Sequence, residues 1–147
     1  MAGTAKEYLS RIRILDFQIQ QKEKQIADAR SLQGRIQSFD YSKEKVQTSP
    51  HGDANIDRAV KIMTLEQELS DKLVALQQLR AKMADEISSL DNPEHIELLT
   101  LRYCDLYRLE AIALEMNMSY HRIRHMHSEA LKAFDKKVLK KMKVDTQ

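Results

Sequence analysis

Tryptophan is absent from these 147 residues, glycine occurs three times, proline twice and cysteine once. So little helix-breaking chemistry, beside abundant Gln, Lys, Glu, Leu and Ile, favours helix nearly throughout and leaves a sheet without support. The single cysteine, Cys104, leaves a disulfide framework or a thiolate zinc site almost without support. It reads as a small buried hydrophobe in a reducing compartment. No apolar run approaches the roughly 18 residues that cross a bilayer, and the first residues lack the apolar stretch of a signal peptide. The expectation is a soluble, cytoplasmic chain with no membrane partner. A Gly-rich phosphate-cradling loop and a nucleophile elbow are also missing, and the acidic residues fall on solvated faces of repetitive helices. Neither an enzyme nor a cofactor is expected.

Charge of one sign is lacking overall, since the net charge is only +2. Its distribution is more telling. Residues 1–92 hold 14 basic and 14 acidic side chains, whereas 119–143 hold eight basic residues against Glu129 and Asp135. A positive surface concentrated at one end can neutralise phosphates even in a nearly neutral molecule.

From Ala5 to about Ser38, apolar residues recur at Ile12, Leu15, Ile19, Ile26, Ala29 and Ile36, on one stripe of a helix. Lys22 and Gln33 interrupt it, as suits a thin two-helix contact. Residues 39–55 carry Asp40, Ser42, Thr48, Ser49, Pro50, Gly52 and Asn55, a density of turn formers that marks a connection. A second helix is predicted from about Asn55 to Leu90, with Ile62, Leu65, Leu69, Leu73, Leu76, Leu79, Met83, Ile87 and Leu90 on its stripe. Positions 62, 69, 76, 83 and 90 keep a heptad spacing, so a coiled-coil seam with surplus apolar surface is expected. This all-α reading is a long antiparallel helical hairpin or coiled coil over 5–90, for dimerisation or partner docking, followed by a small domain over 93–143. A homodimer is the expected assembly.

Asp91, Asn92 and Pro93 stop the second helix and cap the next. Short helices are predicted at about 93–103, 108–116 and 119–142. Leu98, Leu101, Leu109, Ile112 and Leu114 supply the apolar faces of the first two, with Ala113 joining their core. Met116-Asn117-Met118 makes a turn in which Asn tolerates the left-handed conformation and the Met side chains pack inward. Ser119 caps the last helix. On that helix Ile123, Met126, Ala130, Leu131 and Phe134 face the core. Tyr120, His121, Arg124, His125 and Ser128 fall largely on the other side, the layout of a helix-turn-helix that enters a major groove. Arg124 is the strongest candidate for a base edge, because its planar fork pairs bidentately with guanine. Tyr120, His121 and His125 complete the base-contacting set. Arg122, Ser128, Lys132, Lys136, Lys137, Lys140 and Lys141 are assigned to the DNA backbone. His121 and His125 have the spacing of a chelating pair, but no complementary ligand lies nearby in sequence, so no metal is expected. His127 is placed at the edge of the module's packing.

The segments Leu101 to Tyr103, Glu110 to Ala113, Met116 to Ser119 and Arg124 to Leu131 together resemble the C-terminal promoter-reading domain of bacterial sigma factors. The whole chain, with its helical front, resembles small phage and prophage sigma-like regulators of the late-gene-activator type. That family usually has Gly near Leu106 and Ser or Thr near Arg108, where a turn and helix cap precede the first helix of the pair. The resemblance implies a sigma-region-4-like fold over the C-terminal domain and binding of double-stranded DNA at promoters. It leaves open a contact with host RNA polymerase. The competing reading is a helical adaptor whose C-terminal module contacts protein instead of DNA.

Overall fold

Helix runs through the chain much as the scarcity of Gly and Pro demands. The computed structural model describes residues 4–42 and 49–145, with side chains described over 4–32 and 54–142, and among these every regular element is helical. The elements are α1 (Ala5–Leu9), α2 (Arg11–Ser42), α3 (Ser49–Ser88), α4 (Pro93–Leu99), α5 (Leu109–Glu115), α6 (Tyr120–Phe134) and α7 (Lys140–Asp145). A π-helical turn extends α4 over Thr100–Cys104, and another joins α6 to α7 over Asp135–Leu139. No described helix is long and apolar enough to cross a membrane.

Several boundaries differ from the sequence reading. The helix expected to start at Ala5 has a break in regularity at Ser10, whose hydroxyl donates to the Lys6 carbonyl at 2.6 Å beside the backbone N–H bond that the same carbonyl accepts at 3.0 Å. The connection expected over 39–55 is narrower, because α2 continues to Ser42 and α3 begins at Ser49. Residues 43–48 lie outside the described residues. Pro50 falls in the first turn of α3, where a missing N–H costs nothing because those donors have no helical partner.

The chain divides into two compact units, one of Met1–Leu15 with Leu76–Gln147 and one of Asp16–Ala75. In the second unit, α2 and α3 run antiparallel: Gln18 bonds Lys72 at 3.2 Å, Lys22 pairs with Glu68 at 2.5 Å and Arg30 pairs with Glu66. The partner number falls along α3 as the number rises along α2. Ile19, Ile26 and Ile62 are buried there, as their stripes predict. Lys22, the interruption in the first stripe, keeps its charge paired. Leu73 leaves the seam and is 45% exposed, and Phe17, Ile56, Val60, Met63 and Val74 are more exposed still.

The first unit holds the main core. Leu9 and Ile12 meet Met83 and Ile87 from the end of α3 and Leu90 just beyond it, together with Leu98, Leu99, Ile112, Ile123 and Phe134. This grouping crosses the division at residue 93 drawn from sequence. The first turns of the chain and the last turns of α3 bury their apolar residues in the same cluster as α4 to α6, so packing unites what the helix order separates. Tyr8 closes one side of it, donating to Glu86 at 2.7 Å and tilting over Phe134 with centroids 5.8 Å apart. Burial and the neighbouring Glu86 carboxylate push the Tyr8 hydroxyl up to about 12, so it remains a donor at any ordinary pH.

Candidate nucleic-acid interface

The pair α5 and α6 is built by its turn. Met118 N–H donates to Ala113 O at 2.9 Å and Asn117 N–H to Leu114 O at 3.3 Å, the two bonds of a Schellman cap, with Asn117 left-handed at φ 56°. Met116 and Met118 are partly buried against the core, as the sequence indicates. Ser119 then accepts from Arg122 N–H at 3.1 Å and starts α6 in a new direction. One polar side chain and one left-handed residue thus fix where the exposed face of α6 points.

On α6 the two faces separate cleanly. Ile123, Met126, Ala130 and Phe134 are buried, while Tyr120, His121, Arg122, Arg124, His125 and Ser128 are exposed. Ala113 and Ile112 are buried beneath them; Leu101 and Leu131 are only partly buried, packed against the core from its rim. Leu114, expected on an apolar inner face, is instead 82% exposed, because the seven-residue α5 turns Ile112 and Ala113 inward and leaves position 114 outside.

Arg124 lies over the Tyr120 ring at 5.9 Å, and His121 and His125 bring their Nε2 atoms to 3.2 Å. That bond requires one Nε2 to carry hydrogen and the other to accept. Leu109, His121, Arg124, His125, His127 and Ser128 line a shallow cleft of about 280 Å³. Among the described residues no group of three His, Cys, Asp or Glu side chains is arranged to hold a metal.

His127 belongs to the packing and not to this exposed set. Its Nε2 is 2.7 Å from the Tyr103 hydroxyl and the rings stack with centroids 5.7 Å apart. Burial, then the nearby charges of Arg102 and Lys6, push the imidazole down to about 4. Burial pushes Tyr103 up, so the hydroxyl donates and the neutral imidazole accepts.

The basic residues assigned to backbone contact are not equivalent. Lys132, Lys136, Lys140 and Lys141 are exposed, but Lys137 is paired with Asp91 at 2.8 Å. The charged segment is not a loose tail either, since Val138 and Leu139 in the π-helical turn are buried and anchor it. Cys104 is free and buried, and burial pushes its thiol up, as an inert packing role requires. At the entrance to α5, Leu106 is left-handed at φ 62° and Arg108 occupies the cap position without a side-chain bond.

No known protein family, curated protein or solved structure matches the chain.

Proposed function

We propose that this chain is a sequence-specific, duplex-DNA-binding transcriptional regulator of the sigma-like phage type, acting at promoters, alone or together with host RNA polymerase. One observation carries the reading. Helix α6 exposes Tyr120, His121, Arg124 and His125 on its N-terminal half while its opposite face is fixed in the core. A short helix so held, offering a guanidinium and hydrogen-bonding rings, suits a major groove. Exposed Lys132, Lys136, Lys140 and Lys141 follow it and supply charge for phosphates. Homodimerisation is part of the proposal, because Ile56, Val60 and Met63 give α3 an exposed apolar stripe at helical spacing.

Selection from a random duplex pool, followed by footprinting with and without RNA polymerase, tests it. A recovered consensus protected by the protein alone supports direct reading; protection only with polymerase assigns the protein a co-activator role. Arg124→Ala is expected to relax preference at one base pair, a change of about 1–3 kcal/mol. An unenriched pool and no footprint in either condition overturn the proposal. A second reading, protein contact by the same module, has its own support in Leu114, whose 82% exposure beside the turn suits an apolar partner.

A further inference from the structure

A second cationic site lies beside the recognition helix, formed partly by the start of the chain. Lys6, Ser10 and Arg13 face Arg102, Tyr103 and Arg108 across a cleft of about 430 Å³, and no acidic side chain lines it. The side chains of Lys6, Arg13 and Arg108 are exposed and make no hydrogen bond or ion pair with the described residues. Arg102 uses one nitrogen to hold the Tyr107 carbonyl at 3.0 Å. Four like charges drawn to one cleft repel one another unless an anion joins them, and three of them are guanidiniums, whose fork matches phosphate oxygens. The nearby acids are committed elsewhere, Glu7 to the cap of α1 and Asp105 to Arg80.

This cleft adjoins the α6 surface. Arg108 lines one and Leu109 the other, while Tyr103 and His127, bonded to each other, contribute one to each. Burial first, and then the charges of Arg102 and Lys6, hold the His127 imidazole down, which places both cations close to the junction of the two clefts.

We infer that the Lys6, Arg13, Arg102 and Arg108 cleft seats a backbone phosphate of the duplex that α6 reads, so that the first turns of the chain form part of the DNA interface. The inference rests on the DNA-binding reading and adds a contact remote in sequence from the helix pair. A phosphate in this cleft fixes the register of the module on the duplex without contributing sequence information.

The test is the salt dependence of binding to a mixed-sequence duplex, measured by fluorescence anisotropy for the full chain and for Lys6→Ala/Arg13→Ala. One lost phosphate contact lowers the slope of log K against log salt by about 0.9, so a fall of up to about 0.9 is expected for the single phosphate seated here. Lys6→Arg/Arg13→Lys is expected to keep the wild-type slope. Wild-type binding with an unchanged slope in the alanine variant overturns the cleft and leaves the DNA reading intact. An equal loss in the charge-conserving variant also overturns it, by making the effect structural. Failure of the wild-type chain to bind any duplex removes the DNA reading and the cleft's role with it. Pyrophosphate titrated into the protein separates the sources: saturation at micromolar concentration that depends on Lys6 and Arg13, with no effect of these residues on duplex binding, assigns the cleft to a small anion and overturns the proposal.

Discussion

Leu106 shows how a single residue can oppose the backbone it occupies. A left-handed conformation at φ 62° costs a β-carbon-bearing residue about 1–2 kcal/mol, and a leucine has no side-chain hydrogen bond to offset it. Leu106→Gly and Leu106→Ala delete the same packing, yet only Gly relieves the strain. Leu106→Gly is therefore expected to be the more stable of the two by about 1 kcal/mol in urea denaturation, the reverse of the order at an ordinary helical site. A turn is expected near this position, but leucine itself gives no sign of a left-handed backbone. His127 was harder to read. Its partner Tyr103 is 24 residues away, and nothing in periodicity connects them. The unfolded chain binds this proton near the ordinary value of 6.5, whereas the folded chain resists it to about 4. Stability present above pH 6.5 is thus lost as pH falls toward 4. With partial exposure discounting the effect to about 1 kcal/mol, the Tm is expected to fall by roughly 2–4 °C for a chain of this length. The stability advantage of wild type over His127→Gln is expected to shrink over that window; an advantage constant with pH contradicts this account.

Among the elements, α6 was the most legible because its two faces differ so sharply in chemistry. Ile123, Met126, Ala130 and Phe134 sit where three- and four-residue spacing puts them, and Ser119 and Asn117 perform the turn chemistry that their side chains suit. Adjacent residues on this helix should consequently separate stability from binding. Ile123→Ala empties a fully buried position and is expected to cost about 2–5 kcal/mol in chemical denaturation. Arg124→Ala removes an exposed side chain and is expected to change stability by less than about 0.5 kcal/mol. A large stability loss in Arg124→Ala shows that the guanidinium supports the fold. The short α5 was less legible. With only seven residues, Leu109, Ile112 and Leu114 all fit an inward pattern on paper, and only the capped turn decides that Leu114 is left outside.

At the scale of the molecule, a stripe in the sequence tells which residues seek burial but not which partner buries them. Ile12 and Ile19 lie seven apart on one helix face, yet the first joins the main core and the second packs in the Asp16–Ala75 unit. Leu69 and Met83 divide in the same way along α3. The stable C-terminal unit should therefore need residues far upstream of its helix pair. A fragment beginning at Pro93 discards Leu9, Ile12, Met83, Ile87 and Leu90 from the core and is expected to show no cooperative thermal transition. Replacing residues 16–75 by a short Gly/Ser linker keeps all of these. Ile12 and Met83 share that core and Tyr8 bonds Glu86, so the two helices that would be joined are neighbours. Packed helices lie about 8–10 Å apart, a gap that roughly 4–6 linker residues span. The shortened chain is expected to melt cooperatively and to retain salt-dependent binding to a mixed-sequence duplex. Sedimentation should find it monomeric, because it lacks Ile56, Val60 and Met63. A shortened chain that folds but still dimerises places the self-association surface in the first unit. One that fails to fold, while its helices remain intact by circular dichroism, shows that the Asp16–Ala75 unit contributes stability beyond the core described for its neighbour.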